Sequence, residues 1–440
     1  MKLKLKSPLS LLLVLGLFCL FTLSMQLPKA EKIQITIKSN QTGLMTKTIQ
    51  AAIDACTEKG GGVVIFPAGT YLCGGIQLKS NVSLQLEKGA LLQGSSKYAD
   101  YENDAFIFGE KLSNIAILGE GTIDGVDCRN NNGEEGFRGA HCIRFVNCKQ
   151  ISLKDFTIIN SANWALNMRY CSFGNVERVK IRAGHDGLHT RFCNNFTVSG
   201  CDFRTGDDAF AGNDNRDFMI SDCKINTSCN GFRMGCYNLT VKRCQFWGPG
   251  ESFHKIQNRN NMLSAFAHFS PIDENPKLKS GNWLIEDCNI DNVDHVYVYN
   301  NVDGLWQTGQ PVTNVVFKNV KATKILAAFN IIGDTCLKFV LDIKNSSFSF
   351  REGADYKGDK FEGVKLLSPS LFNATNFDRI TLQNVSLSKL GLTPILFCKS
   401  GNVLTLKDVN FTNGNKTTPY VFENINKIRK VNIKHNNPTK

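Results

Sequence analysis

Three aspartates in the middle of the chain have a number and spacing that suit acid–base chemistry. Asp207 and Asp208 are adjacent, and Asp186 lies 21 residues before Asp207. Hydrolysis of a glycosidic bond needs one protonated carboxyl group near the leaving oxygen and an ionised carboxylate that activates water or attacks carbon. Carboxylates held close together raise at least one pKa among them, which keeps one member protonated. The same oxygens could instead bind calcium, and Gly-Asp and Asp-Gly pairs also form ordinary turns.

The sequence around these aspartates repeats with a period in the low twenties. Segments 194–203, 217–225 and 238–246 each combine a short β-rich run with turn residues. Units this short cannot bury a hydrophobic face alone, so the repetition predicts rungs stacked into a solenoid with a shared core. Neighbouring rungs are about 4.8 Å apart, the ordinary strand spacing. The three carboxylates are therefore expected to converge on one exposed patch.

The cysteines follow the same period. Regular columns of this kind predict free cysteines that face the core as small hydrophobic side chains. Two disulfide pairs, Cys229 with Cys236 and Cys128 with Cys142, stay open as alternatives. The columns lack the short paired spacings of zinc sites, and we predict neither a metal nor a cofactor. The two columns are Cys148, Cys171 and Cys193, and Cys201, Cys223 and Cys244.

The elements along the chain predict an all-β fold with one helix at the start. Ile49, Ala52, Ile53 and Cys56 form a helical stripe, and helical periodicity is nearly absent after residue 60. A short helix over the open end of a solenoid would shield the unpaired edge of its first rung. The interval 247–283 interrupts the rhythm and predicts either an extra rung or long loops that wall a groove.

The N-terminus has the pattern of a secretory signal. Lys2, Lys4 and Lys6 precede an apolar run over residues 9–23. We expect residues 1–26 to be a signal peptide and residues 31–440 to form one domain that is secreted or periplasmic. A membrane anchor is the alternative, although the run is shorter than the ~20 residues that a spanning helix needs.

Charge and composition favour an anionic partner. The formal net charge is +12 at pH 7, but the basic residues are scattered and form no dense run with interleaved aromatic residues. We therefore expect a polysaccharide or oligosaccharide substrate, an anionic one, and a monomeric protein. Nucleic acid is not expected as a partner, and neither is a membrane beyond the act of secretion.

Several motifs together resemble glycoside hydrolase family 28, the polygalacturonase family, over roughly residues 33–330. The resemblance implies a single-stranded right-handed parallel β-helix that hydrolyses pectic polysaccharides with inversion of anomeric configuration. It also implies that Asp207 is the general acid and that Asp186 and Asp208 position and activate water. The motifs are residues 60–71, Asn160-Ser161-Ala162-Asn163-Trp164, Asp186-Gly187, Gly206-Asp207-Asp208-Ala209-Phe210-Ala211 and Gly231-Phe232-Arg233-Met234-Gly235.

The chain also departs from the family pattern. The family's Asn-Thr-Asp, Gly-His-Gly and Arg-Ile-Lys motifs correspond here to Gly184-His185-Asp186, Cys229-Asn230-Gly231 and a segment at 265–269 that lacks the Arg-Ile-Lys pattern. Because the missing basic pair is what the family uses on the galacturonate carboxylate, unmodified polygalacturonic acid comes into question as a substrate. We predict that substrate contacts come instead from His185, Asn230, Arg233 and His268.

Three functions remain open from the sequence. The first is an inverting glycoside hydrolase that acts on a pectic or other acidic polysaccharide. The second is a noncatalytic carbohydrate-binding β-helix, which has no need for three retained aspartates. The third is a polysaccharide lyase, which would use a lysine or arginine base, often beside calcium.

Overall fold

The computed structural model describes residues 33–39, 43–270, 279–300, 311–353, 369–391, 394–414 and 418–436. These residues form one α-helix, α1 (Thr46–Glu58), and 33 strands, β1 to β33 in chain order. The expected signal peptide lies outside the described residues. Within the described part, no helix is long and apolar enough to span a bilayer.

The strands stack in parallel into three sheets that run the length of the chain, which is the architecture of a parallel β-helix. Sheet A contains β4 (Ile76–Gln77), β7 (Ala105–Glu110), β10 (His141–Val146), β13 (Leu166–Arg169), β16 (Leu188–Arg191), β23 (Ser264–His268), β26 (His295–Asn300) and β29 (Ala327–Ile332). Sheet B contains β1 (Ile33–Thr36), β2 (Gly62–Phe66), β5 (Val82–Leu86), β8 (Ser113–Leu118), β11 (Lys149–Lys154), β14 (Ser172–Glu177), β17 (Asn194–Ser199), β24 (Ser280–Glu286) and β27 (Val312–Lys318). Sheet C contains β3 (Gly69–Cys73), β6 (Ala90–Gly94), β9 (Thr122–Asp124), β12 (Thr157–Ile159), β15 (Lys180–Ala183), β18 (Asp202–Thr205), β20 (Lys224–Thr227), β22 (Gln245–Trp247), β25 (Asn289–Asp291) and β28 (Lys321–Ile325).

Six long strands turn the corner between sheets without a break. Two of them, β19 and β21, supply consecutive rungs of both sheet A and sheet B next to the aspartates. The six are β19 (Phe210–Ser221), β21 (Asn230–Lys242), β30 (Phe339–Phe350), β31 (Phe372–Ser388), β32 (Leu396–Thr412) and β33 (Tyr420–Asn436).

The core consists of inward columns in which one residue type repeats on successive rungs. Phe210, Phe232 and Phe266 stack with ring centroids 4.5 and 5.0 Å apart, close to the strand spacing. Every cysteine in the described residues is free, and all of these except Cys336 are buried. The predicted inward cysteine columns are confirmed, and the two alternative disulfide pairs do not form.

The corners between sheets explain the many asparagines of the repeat. Asn238, Asn282 and Asn314 have φ values of 60°, 54° and 54°, in the left-handed region that asparagine tolerates better than most residues. Their side chains also pair between rungs, because Asn282 donates to Asn238 at 3.1 Å and Asn314 donates to Asn282 at 3.2 Å. Each corner is thus linked to the next.

Helix α1 packs its buried stripe against the first rungs of the stack. Ile49, Ala52, Ile53 and Cys56 are buried, and a Cβ atom at Gly62 would lie 2.8 Å from the Cys56 sulfur and 2.5 Å from the Ile33 carbonyl oxygen. Only glycine permits this close approach. The capping helix is present as predicted.

The irregular interval 247–283 contains one rung, which is preceded by a long loop. Strand β22 ends at Trp247, β23 continues sheet A, and β24 continues sheet B. This long loop, residues 248–263, is called the C-side loop below. Another loop, residues 125–140 between β9 and β10, is called the N-side loop.

Candidate active site

The three aspartates lie where the chain enters sheet A on two neighbouring rungs. Asp186 precedes β16, and Asp207 and Asp208 precede β19. The amide of Gly187 donates to the carbonyl oxygen of Asp208 at 2.9 Å, which fixes the spacing of the two rungs. One carboxylate oxygen from each aspartate lies within 4.8 Å of the others. The predicted convergence therefore occurs, but the expected exposed patch was wrong, because Asp186 and Asp208 are buried.

Asp208 is held by groups from the next rung. The side-chain amide of Asn230 donates to Asp208 Oδ1 at 2.7 Å, and the Ser264 hydroxyl donates in turn to the Asn230 oxygen at 2.7 Å. The Arg233 guanidinium lies 3.7 Å from Asp208 Oδ2. Asn230 and Arg233 are thus brought to the aspartates as predicted from the sequence.

Asp186 is held by a histidine of its own rung. His189 Nδ1 lies 2.8 Å from Asp186 Oδ2, and the imidazole stacks on the Trp164 indole with centroids 3.6 Å apart. Burial, followed by the charges of Arg191 and Arg233, lowers the pKa of His189 well below its ordinary value. His189 is therefore neutral, and its ring fixes the orientation of Asp186.

Asp207 is held by the two loops. His254 Nε2 of the C-side loop lies 3.6 Å from Asp207 Oδ2, and Arg138 Nη2 of the N-side loop lies 4.0 Å from the same oxygen. A salt bridge from Lys255 to Asp127, with N and O 2.5 Å apart, joins the two loops. Arg138, His254 and the Lys255–Asp127 salt bridge thus cover Asp207 from two segments that are distant in sequence. We call this arrangement the clasp.

The backbone fixes the tautomer of His254. Its Nδ1 accepts hydrogen bonds from the amides of Ile256 at 3.3 Å and Gln257 at 3.1 Å. A nitrogen that accepts these bonds carries no proton, so the proton of the ring is on Nε2, which faces Asp207. The protonated Nε2 of His254 therefore faces the Asp207 carboxylate at 3.6 Å.

The environments of the three carboxyl groups drive their pKa values apart. Burial, and then the charges of Asp207 and Asp208, raise the pKa of Asp186 well above its ordinary value. Burial and the charge of Asp207 raise the pKa of Asp208 to about 6. Burial also opposes ionisation of Asp207, but His254 and Arg138 outweigh it and hold the pKa of Asp207 below its ordinary value. Below about pH 6 the cluster thus retains protons on Asp186 and Asp208 beside an ionised Asp207.

Access to the cluster is unequal. The exposed fraction of the side chain is 18% for Asp207, against 6% for Asp186 and 3% for Asp208. A leaving group of a bound substrate can therefore reach Asp207 most easily. Two guanidinium groups within 4.0 Å also disfavour a bound cation at these carboxylates.

The sequence segment that builds this site matches a known family. The family model of Glycosyl hydrolases family 28 matches residues 56–228, and this segment contains all three aspartates. Residues 56–228 of this chain are therefore similar to glycoside hydrolase family 28.

Curated relatives match only a part of the chain. The exo-poly-alpha-D-galacturonosidase of Dickeya chrysanthemi is 36% identical over 126 residues, which are 24% of this chain and 21% of that protein. The endo-polygalacturonase of Pectobacterium carotovorum is 33% identical over 116 residues, 22% of this chain and 28% of that protein. The matched segments thus span less than a third of the length of these relatives.

Solved structures share the fold at low identity. A family 28 exopolygalacturonase of Yersinia enterocolitica has a TM-score of 0.58 and 16% identity, with 90% of this chain and 78% of that chain covered. An exopolygalacturonase of Thermotoga maritima has a TM-score of 0.59 and 16% identity, with 73% and 88% covered. The expected right-handed parallel β-helix is confirmed.

Two of the histidines singled out from the sequence have different surroundings. His185 is buried beside the clasp, where its ring stacks on Phe137 with centroids 5.8 Å apart. Burial, and then Arg138 and Lys255, lower the pKa of His185 to about 3, so it is neutral. It reaches the edge of the site rather than the carboxylates themselves.

His268 is not brought to the aspartates, which corrects its place among the expected substrate contacts. It shares a column with the inward-facing Met234 and packs against Trp283 and Tyr299, with centroids 5.7 and 5.4 Å away. Side chains alternate along a strand, so a residue two positions after the core residue Phe266 also faces inward. Burial alone lowers the pKa of His268 to about 3.

His254 is a positioning residue for Asp207, because its Nε2 faces that carboxylate. We expect His254→Ala to lower kcat about 10- to 100-fold with a smaller change in KM, because Asp207 loses the donor that orients it. His254→Gln keeps an amide donor and is expected to recover part of the loss. Steady-state kinetics over a pH series measures both.

The matched control is the buried histidine outside the site. His268→Leu removes two ring nitrogens that lack hydrogen-bond partners among the described residues, so we expect unchanged kcat and equal or higher thermal stability. A loss of kcat in His268→Leu that equals that of His254→Ala would refute the assignment of His254.

Proposed function

We propose that this protein is a secreted or periplasmic glycoside hydrolase that cleaves a pectic or other acidic polysaccharide with inversion. Asp207 is the general acid, and Asp186 and Asp208 hold and activate the attacking water. The single observation that carries the proposal is the convergence of three carboxylates within 4.8 Å, with pKa values driven apart by their surroundings.

The division of roles follows access and protonation. Asp207 is the most exposed of the three side chains, as a group that protonates the leaving oxygen must be. Its proton comes from within the cluster, since Asp186 and Asp208 retain protons a few ångströms away. After this transfer, the member that gave up its proton is a carboxylate and acts as the base toward the water, while the other, still protonated, helps to hold the water in place.

The acidic substrate is supported by charge and by the relatives. Arg138 and Arg233 flank the aspartates, and the formal net charge of the chain is +12. The Dickeya relative is named as a galacturonosidase and the Pectobacterium relative as a polygalacturonase. A sugar acid is therefore the favoured unit of the substrate.

Release of reducing ends from a panel of pectic, other acidic and neutral polysaccharides tests the function. We expect release from at least one acidic polymer by the mature protein and none from neutral polymers. Binding without release on every polymer would show instead a noncatalytic carbohydrate-binding protein. Products that absorb in the ultraviolet, from an unsaturated ring, would show a lyase.

The first product formed tests the stereochemistry. Carboxyl separations of about 5 Å are typical of retaining glycosidases and those of about 6.5–9.5 Å of inverting ones, whereas the resemblance to family 28 implies inversion from a closer cluster. We expect proton NMR of the initial products to show the inverted anomer. The retained anomer as first product would make one of the aspartates a nucleophile.

A further inference from the structure

A polar cavity adjoins the aspartates on their N-terminal side. It has a volume of about 390 Å³ and is lined by Arg138, Arg144, Arg169, Asn167 and Trp164 among others; we call it the arginine pocket. Arg138 also lies 4.0 Å from Asp207, and Trp164 stacks on the histidine that holds Asp186. The pocket and the carboxylate cluster are therefore contiguous.

The register of sheet A places the lining side chains on consecutive rungs. Arg144 on β10 is followed in its column by Asn167 on β13 and then by His189 on β16, the rung of Asp186. At about 4.8 Å for each rung, the pocket begins one to two rungs before the cluster. This is the range of an adjacent sugar residue in a chain bound along the sheet.

Two buried polar atoms in the pocket have no partner among the described residues. Asn167 is 2% exposed, and its Oδ1 accepts no hydrogen bond, whereas its Nδ2 lies 2.9 Å from His141 Nε2. Arg144 donates from Nη1 to the Asn103 carbonyl oxygen at 2.8 Å, but its Nε has no acceptor. A buried acceptor and a buried cationic donor left in this way are costly without a ligand. A hydroxyl group would satisfy the first atom and a carboxylate the second.

The charge of the pocket agrees with an anionic ligand. Its three arginines face two carboxylates, Asp104 and Glu134. The Tyr98 hydroxyl donates to Asp104 at 3.0 Å, and Glu134 lies 4.0 Å from Arg138. His141 adds no charge, because burial lowers its pKa to about 3. Arg138 also pairs with Glu135, so recognition of an anion in the pocket rests on Arg144, whose Nε has no acceptor among the described residues.

The opposite side of the aspartates has no such pocket residues in the equivalent column. After Arg233, the next positions are Ala267 and Val298, which are buried and apolar. The rung where the family carries its basic motif is thus without a cation in this column.

We propose that the arginine pocket binds one acidic sugar residue of the substrate, with its carboxylate on Arg144 and Arg169 and a hydroxyl group on Asn167. The proposal rests on the proposed function, since it names the sugar that the same site selects. It makes Arg144 and Arg169 specificity residues and leaves the chemistry to the aspartates.

Calorimetric titration of the Asp207→Asn protein tests the pocket without turnover. The probes are trigalacturonate and the corresponding neutral galactotriose. We expect the acidic probe to bind at least 10-fold more tightly. Arg144→Gln, added to Asp207→Asn, is expected to remove most of this preference while leaving the affinity for galactotriose unchanged. Arg169→Gln, on a different strand, is the second variant in case the first fails to fold.

Arg178→Gln is the matched control, because Arg178 is an exposed arginine bound to Asp155 at 2.6 Å and lies outside the pocket. It should leave the preference intact. Absent binding of trigalacturonate, an unchanged preference in both pocket variants, or an equal loss of both probes would overturn the proposal. Preferential binding without any hydrolysis by the native protein would refute the proposed function alone, whereas hydrolysis with no effect of the pocket variants would refute the pocket alone.

Discussion

Asp207→Asn is expected to lower the rate of polysaccharide hydrolysis by roughly 10³-fold, within the range that a general acid contributes. The substitution keeps the shape of the side chain and the oxygen that accepts the Asp208 amide at 2.9 Å, so the fold should be unchanged. What it removes is the proton for the leaving oxygen. Initial rates of reducing-end release from the substrate found for the native protein give the measurement.

Hydrolysis of an aryl glycoside of the same sugar shows whether Asp207 acts as the general acid or as the general base. A nitrophenolate leaving group needs little protonation, so Asp207→Asn should retain far more of its activity on the aryl glycoside than on the polysaccharide. The electrostatics of the ligand-free site make this comparison decisive, because Asp207 is the member held ionised by His254 and Arg138. Equal losses on both substrates would assign Asp207 as the base and leave the acid among its two neighbours.

The fold could be predicted from the sequence because each rung repeats the same pattern of inward-facing and corner residues. A cysteine or phenylalanine column every 21 to 23 residues indicates one inward position, and asparagines indicate the corners where φ is positive. The aspartates, Asn230 and Arg233 belong to this repeat, so their meeting followed from the register alone. His268 also belongs to the repeat, but side chains alternate along the strand, and that of His268 faces the core instead of the outward side.

The clasp over Asp207 could not be predicted in the same way. Arg138 and His254 lie in loops outside the repeat, and the Lys255–Asp127 bridge that joins these loops spans 128 residues of sequence. Loop conformation depends on such distant contacts rather than on local periodicity. The available signals were only the charged composition of the N-side loop and the interruption of the period at residues 247–283. The histidine that faces Asp207 thus comes from a loop rather than from the repeat.

Asp208→Asn is expected to act in opposite directions on activity and on stability. Loss of a base should lower turnover by at least about 100-fold. The side-chain oxygen of the introduced asparagine would still accept the hydrogen bond that Asn230 donates to Oδ1, and the new side chain cannot ionise. Because burial and the charge of Asp207 raise the pKa of Asp208 to about 6, ionisation of this carboxyl group destabilises the folded native protein.

The sign follows from linkage between protonation and folding. A carboxyl group with a raised pKa stabilises the folded state fully below its unfolded pKa, and this contribution is lost as the pH rises through about 6. The difference between this pKa and the ordinary value for aspartate corresponds to at most ~3 kcal/mol at pH 8. We therefore expect Asp208→Asn to raise the free energy of unfolding at pH 8 by up to that amount and to have little effect at pH 4.

Asp202 provides a control of opposite sign. Although burial opposes its ionisation, hydrogen bonds from Arg204 and Arg182 outweigh burial and lower the pKa of Asp202. Its ionised form therefore stabilises the fold above the unfolded pKa, and this contribution is lost as the pH falls. Asp202→Asn should accordingly lower stability at pH 8, where Asp208→Asn raises it. Denaturant unfolding of the native protein and both variants at pH 4 and pH 8 measures the two effects. A loss of stability in Asp208→Asn at pH 8 would mean that Arg233 and Asn230 stabilise the ionised form of Asp208 and that its pKa is not raised, and Asp208 could not then supply the proton that acid catalysis requires.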